Sequence, residues 1–280
     1  MPALGTQNLK LTTDPMTKTF LEAAVEIARG AGAILLEELQ RPPDIAYKGD
    51  FDLVTQADRR SEEWIVRRLQ ECFPQHAIAA EEGTGKDKDS EYRWHVDPLD
   101  GTTNFAHGYP CFCVSMGLAR GDELILGVVY GPVYDELFTA QRGEGTYFNG
   151  KRIHCSKIVT LKTSLLCTGF PNHKRLSHPN IHYYWDFTLK SHGVRRDGSA
   201  ALDLAYVAAG RYDGFWEFGL NPWDCAAGVV LVEEAGGKIS NLEGRSYSLG
   251  GKSILASNGL IHSEMVEVAA EIASRPRTPL

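Results

Sequence analysis

Apolar residues recur at helical spacing along the first well-patterned stretch of the chain. Between Met16 and Gln40 they fall at Phe20, Ala24, Ile27, Ala28, Leu35, Leu36 and Leu39, which predicts an amphipathic helix. Arg41-Pro42-Pro43 ends it, since proline lacks the amide that a helix interior needs. Ile45 to Tyr47 and Asp52 to Val54 read as short strands around the turn Lys48-Gly49-Asp50. Thr55 opens a second helix with Trp64, Ile65, Leu69 and Cys72 on one side, and Asp58 stands at capping-box distance from it. Helix capping alone is a sufficient local reason for Asp58.

His76 to Ala80 is a small apolar strand that delivers Glu81-Glu82-Gly83, and the charged, aperiodic run Gly85 to Ser90 predicts a mobile surface loop. Cys111 to Arg120, Glu123 to Tyr130 and Glu136 to Arg142 are rich in β-favouring residues, with turn signals at Gly121-Asp122 and Gly131-Pro132. They predict an antiparallel meander, and Asn149-Gly150 adds a hairpin. Beyond residue 152 strands and helices alternate. Strands are predicted at Ser164 to Gly169, Val194 to Arg196, Asp213 to Phe218, Gly237 to Ser240 and Ser253 to Ser257. Helices are predicted at His173 to Ser191, Ala200 to Ala209, Trp223 to Ala235 and His262 to Ala273. The alternation implies an α/β layered half. Residues 1–15 read as a frayed terminus, 16–152 as an N-terminal α+β half and 153–280 as a C-terminal α/β half, packed as one unit.

Composition narrows the classes. A hydrophobic content of 43% over 280 residues suits a water-soluble chain with a large core. A net charge of −7 speaks against general nucleic-acid binding, though metal ions can reverse the local charge of a site for anionic substrates. The six cysteines form no Cys-x-x-Cys and no secretory signal precedes them, so reduced thiols in a cytoplasm are expected. No His-Glu-x-x-His and no membrane-length apolar run occur.

The candidate chemistry centres on Trp94-His95-Val96-Asp97-Pro98-Leu99-Asp100-Gly101-Thr102-Thr103-Asn104-Phe105. A buried strand ends in one aspartate, a proline stiffens the link, and a second aspartate precedes a turn that opens a helix. Two acids on so short a link repel each other unless a cation lies between them, and all-oxygen ligands suit Mg²⁺. Free amides at the helix start offer a seat for an anion. Asp-Pro-x-Asp-Gly is also ordinary turn chemistry, and that reading stays open on this motif alone. Asn221-Pro222-Trp223-Asp224 repeats the theme of an acid beside a proline at a helix start.

Five segments taken together make the chain similar to the inositol monophosphatase family, within the lithium-sensitive, Mg²⁺-dependent phosphomonoesterases. They are Asp52 to Asp58, Glu81-Glu82-Gly83, Trp94 to Phe105, Asp197 to Ala201 and Pro222 to Gly228. The run Gly198 to Gly210 resembles bacterial members most. The resemblance implies a layered α/β/α/β/α sandwich of the inositol monophosphatase and fructose bisphosphatase type. It implies that Glu81, Asp97, Asp100, Asp224 and the Leu99 carbonyl bind two or three Mg²⁺ ions. Gly101 and Thr102 should then hold phosphate, and Asp58, Thr102 and Glu81 should position and deprotonate an attacking water. Gly198, Ser199, Ala200 and Glu217, with Asp100 and Asp224, should meet the substrate. Lys48 matches a basic residue of the family only loosely. No Cys or His is needed as nucleophile, so direct attack by water is expected. The implied substrate is myo-inositol 1-phosphate. Histidinol phosphate, fructose 1,6-bisphosphate, 3′-phosphoadenosine 5′-phosphate or a transcription-associated role are the alternatives. A homodimer and lithium sensitivity are implied by the resemblance alone. Cys111, Cys113, Cys225, Trp94 and Trp223 read as packing residues, and His95 and His107 as neighbours of the motif without a role.

Overall fold

The computed structural model describes residues 19–41, 45–47, 53–170 and 179–275. The proposed frayed terminus, Lys48 and the predicted helical residues 173–178 lie outside these. Helix α1 (Phe20–Leu39) starts at a capping box in which the Glu22 amide donates to the Thr19 hydroxyl at 3.2 Å and the Thr19 amide donates to the Glu22 carboxylate at 2.9 Å. Strands β1 (Ile45–Tyr47) and β2 (Leu53–Thr55) form an antiparallel ribbon. Helix α2 (Gln56–Cys72) has Thr55 as its cap and Asp58 as the reciprocal partner, as the spacing predicts.

A seven-stranded sheet follows. Its strands β3 (Ala77–Ala80), β4 (Tyr92–Asp100), β5 (Cys113–Arg120), β6 (Glu123–Gly131), β7 (Glu136–Gln141), β8 (Gly145–Phe148) and β9 (Lys151–Ile153) lie in sequence order. All pairs are antiparallel except β3 with β4, which are parallel because the chain returns through the 81–91 connection. That connection is not the free loop expected from its composition. Ile78 and Lys86 exchange two backbone hydrogen bonds of 2.8 Å each, so the segment is stitched to the sheet edge. The predicted hairpin at Asn149-Gly150 joins β8 to β9, both residues having positive φ.

A one-turn helix α3 (Thr102–Ala106) leaves the end of β4. The second sheet has the order β11-β10-β12-β14-β13, from β10 (Leu165–Thr168), β11 (Gly193–Arg195), β12 (Gly214–Phe218), β13 (Lys238–Ser240) and β14 (Ser253–Ser257). Strand β10 runs parallel to β11 and β12, and β14 antiparallel to β12 and β13. Helices α4 (Asn180–Lys190) and α7 (His262–Ser274) cover its outer face. Helices α5 (Ala200–Ala208) and α6 (Pro222–Glu234) fill the space between the sheets, while α1 and α2 cover the far side of the first.

The result is five layers, α/β/α/β/α. Helix α6 is apolar all round because both of its sides face a sheet: Cys225 to Val232 are all buried. It lies close on the first sheet because Gly117 and Gly127 stand beneath it. A Cβ at Gly117 would meet the Ala226 Cβ at 2.6 Å, and one at Gly127 the Ala227 carbonyl oxygen at 2.4 Å. The N-terminus of α6 is thereby brought to the end of β4.

Candidate active site

Strand β4 breaks register with β5 between Asp97 and Asp100. Inside that break the Leu99 amide donates to Asp97 Oδ1 at 3.0 Å, and the Pro98 carbonyl accepts from the Ser61 hydroxyl of α2 at 2.8 Å. The link between the two aspartates is thus held from its own side chain and from a neighbouring helix. Gly101 turns the chain with φ of 99°, and a Cβ there would stand 2.8 Å from the Cys111 carbonyl oxygen. Helix α3 has five residues, a single turn whose macrodipole is small. An anion seat at this point therefore depends on the individual amides rather than on a helix dipole.

A cavity of about 220 Å³ opens at this turn. Glu81, Asp97 and Asp100 reach it from strand ends of the first sheet and Asp224 from the first turn of α6. Leu99, Gly101 and Thr102 form the wall beside them, and Gly198, Ser199 and Ala200 come from the turn before α5. Glu217 enters from β12. Asp58 is fully buried behind Thr102, whose hydroxyl lies 3.0 Å from Asp58 Oδ1 and 3.1 Å from the Leu99 carbonyl oxygen. A single hydroxyl proton faces both acceptors. Asp58 Oδ2 is already engaged by the Thr55 hydroxyl at 2.6 Å and amide at 2.7 Å, so Oδ1 is the oxygen left to orient Thr102. The sequence-predicted site residues thus border one space or stand directly behind it.

The electrostatics follow from burial among like charges. Burial pushes Asp97 well above the usual carboxylate range, and Glu81, Asp100 and Asp224 add repulsion. Asp100 is raised to about 6 by burial, although the Ser199 hydroxyl and Ala201 amide, each 2.7 Å from its Oδ2, pull the other way. Asp224 is raised to about 7 by burial and by Asp100, against a 2.7 Å bond from the Asn221 amide to Oδ2. Burial raises Glu217 strongly as well, with Asp224 and Asp100 adding to it and Arg196 opposing.

Such a set suits a hard cation chemically: every side-chain donor is a carboxylate oxygen, and Asp97, Asp100 and Asp224 each spend one oxygen on the protein's own donors. As they stand, no three His, Cys, Asp or Glu side chains among the described residues are close enough to hold an ion together. The donor chemistry fits a cation.

Several residues at the site carry no local sequence signal. Arg196, from the turn after β11, lines the cavity and acts on Glu217. Gly169 lies so near Glu217 that a Cβ would sit 2.3 Å from its carboxylate oxygens. Asp203, 1% exposed on α5, lines the cavity with neither carboxylate oxygen hydrogen-bonded, and burial raises it well above the usual range. Asn104 donates to the Cys111 carbonyl at 2.6 Å and to the Asp197 carbonyl at 2.7 Å, tying the motif to the turn before α5. Glu62, buried on α2, grips the 81–84 turn. Three of the residues read as packing are placed as such: Trp94 and Cys113 are fully buried, and Cys225 is buried with its sulfur 2.8 Å from the Tyr247 hydroxyl, while Cys111 and Trp223 are partly buried. His95 is buried with Nδ1 unpaired and, like His107, does not line the cavity.

Facing carboxylates at the joint of a five-layer sandwich, beside a rigid Asp-Pro-x-Asp turn, define a phosphatase class of site. The comparisons with known proteins agree. Residues 16–275 match the model of the inositol monophosphatase family, and the chain belongs to that family of metal-dependent phosphatases. It is 45% identical over 258 residues to an inositol-1-monophosphatase of Synechocystis, covering 90% of this chain and 89% of that one. It is 44% identical over 246 residues to a protein of Pseudomonas aeruginosa named Nus factor SuhB, covering 85% and 91%. The structure of an inositol monophosphatase from Anabaena superimposes with a TM-score of 0.83 at 43% identity, over 93% of this chain and 97% of that one.

Proposed function

We propose that the protein is a Mg²⁺-dependent phosphomonoesterase that releases inorganic phosphate from myo-inositol 1-phosphate. One observation carries the reading: Glu81, Asp97, Asp100 and Asp224, drawn from both halves of the chain, border one cavity whose only lining cation among the described residues, Arg196, acts on Glu217. Four ionised carboxylates and a phosphomonoester carrying up to two charges repel one another in that space, and cations between them let all stay ionised. Glu81, Asp97, Asp100, Asp224 and the Leu99 carbonyl are the residues to hold two Mg²⁺ ions, with a third balancing the phosphate. Bound there, Mg²⁺ supplies charge neutralisation and Lewis acidity for in-line displacement at phosphorus.

The chain's own residues do the rest. Gly101 and Thr102 turn backbone amides toward the phosphoryl oxygens. Asp58 fixes the Thr102 hydroxyl, and this pair, with Glu81, orients the attacking water and takes its proton. Glu217, Ser199, Ala200 and the Gly198 turn meet the alcohol, while Asp100 and Asp224 border both metal and substrate. The two halves, 16–152 and 153–280, act as one catalytic unit. A homodimer, lithium inhibition and a cytoplasmic location belong to the same reading. The six cysteines are all free, which suits a reducing compartment. No helix among the described residues is long and apolar enough to cross a membrane.

A panel of phosphomonoesters assayed with Mg²⁺ tests the substrate. myo-Inositol 1-phosphate should give the highest kcat/KM, and preference for histidinol phosphate, fructose 1,6-bisphosphate or 3′-phosphoadenosine 5′-phosphate refutes the assignment. The relative named as a Nus factor suggests a transcription-associated role; an Asp97→Asn variant that loses hydrolysis yet fulfils the cellular task would favour it.

A further inference from the structure

Helix α2 presents three consecutive polar grips on the site from one face. Asp58 takes the Thr102 hydroxyl, Ser61 donates to the Pro98 carbonyl, and Glu62 holds the turn that carries Glu81. The Glu62 grip is the most complete. Its side chain is 0% exposed; Oε2 accepts from the Glu82 amide at 2.6 Å, and Oε1 accepts from both the amide and hydroxyl of Thr84 at 2.8 Å each. A buried carboxylate tolerates its lost hydration only when donors replace water, and here three do. The Glu82 amide belongs to the same peptide plane as the Glu81 carbonyl. Fixing that plane fixes the backbone from which the Glu81 side chain departs. The turn is also bonded through its backbone, from the Glu81 amide to the Val96 carbonyl at 3.3 Å and from the Gly83 amide to the Ala80 carbonyl at 3.4 Å.

We propose that Glu62 is a positioning residue for the cation site, acting through the Glu81 turn. With Asp58 and Ser61 it makes α2 the common backing for the separate loops that bear Glu81, the Asp97–Asp100 link and Thr102. This rests on the reading of Glu81 as a metal ligand. Groups that orient a ligand from behind typically carry ten- to a hundredfold in metal affinity, and Glu62 stands in that relation to Glu81.

The test titrates metal-stripped, full-length protein with Mg²⁺ alone by calorimetry, with thermal unfolding and steady-state kinetics beside it. Glu62→Gln keeps the size of the side chain but turns an amide NH₂ toward a donor, so at least one grip is lost. We expect Mg²⁺ to bind roughly tenfold or more weakly, while kcat returns to within about threefold of wild type at saturating Mg²⁺. A side chain that only stabilised the fold would lower the melting temperature and leave the Mg²⁺ constant in place. Binding within twofold of wild type, or lost activity that Mg²⁺ does not restore, overturns the proposal. Should Glu62→Gln not fold, Thr84→Val removes one grip only; about threefold weaker Mg²⁺ binding supports the proposal, and an unchanged constant overturns it. Wild-type protein that binds no Mg²⁺ overturns the metal-site reading along with it, whereas equal binding by wild type and variant overturns the role of Glu62 alone.

Discussion

Stripping metal from the protein should invert the usual dependence of an acidic site on pH. In the folded chain Asp100 and Asp224 have pKa values of about 6 and about 7, against an ordinary 3.8. Between those limits the folded state binds more protons than the unfolded state, so stability must fall as pH rises. The loss begins near the unfolded value and is complete once pH passes the folded ones. The two groups titrate together and the span from pH 5 to pH 8 takes in only part of each titration, so the loss over it is on the order of 3 kcal/mol. For a chain of this size that is a fall in melting temperature of about 7 °C between pH 5 and pH 8. Adding Mg²⁺ should restore it mainly at pH 8, because at pH 5 the ion must first displace protons. At a hundredfold excess over its dissociation constant the ion adds about 2.7 kcal/mol. Calorimetric scans of chelator-treated and Mg²⁺-loaded protein at the two pH values measure all four quantities, and Asp224→Asn should flatten the metal-free slope. Metal-free protein more stable at pH 8 than at pH 5, or an Mg²⁺ shift equal at both, refutes the reasoning.

Three further outcomes follow from particular contacts. Gly169→Ala places a methyl 2.3 Å from the Glu217 oxygens, so it should cut kcat/KM for polyol phosphates by about tenfold or more while leaving small aryl phosphates much less affected. Asn104→Ala strips donors from the Cys111 and Asp197 carbonyls and should cost about 2–3 kcal/mol in denaturant unfolding. Asp203→Asn removes a buried acid with a raised pKa, so it should raise the melting temperature more at pH 8 than at pH 6; an equal shift at both would show that Asp203 does not titrate.

What was legible in the chain were the features written locally. The capping box at Thr55 and Asp58, the Asn149-Gly150 hairpin and the amphipathic face of α1 each lie within one window of residues. Asp97, Asp100 and Asp224 stand out as candidates because Asp-Pro-x-Asp-Gly and Pro-Trp-Asp concentrate rigid residues and charge in short runs, whereas Glu81 and Glu217 enter only through the family resemblance. What was not legible came from distance. Arg196 belongs to the basic pair Arg195-Arg196, which by itself says nothing of a cavity, yet Arg196 lines one. Glu62 is one more acid on a charged helix until the 81–84 turn folds back over it. The 85–90 run looks solvated because its register with Ile78 depends on a strand partner outside the segment. Asp203 sits in an apolar helix with nothing nearby to announce that it is buried without a partner.

Asp100 spans the seam between the sheets. Its Oδ2 accepts from the Ser199 hydroxyl and the Ala201 amide and so caps α5, a helix whose own N-cap residue, Ser199, makes no side-chain cap. One carboxylate thus fastens the end of β4 to the start of α5, so a substitution at Asp100 loosens a strand of the first sheet and a helix of the second half together.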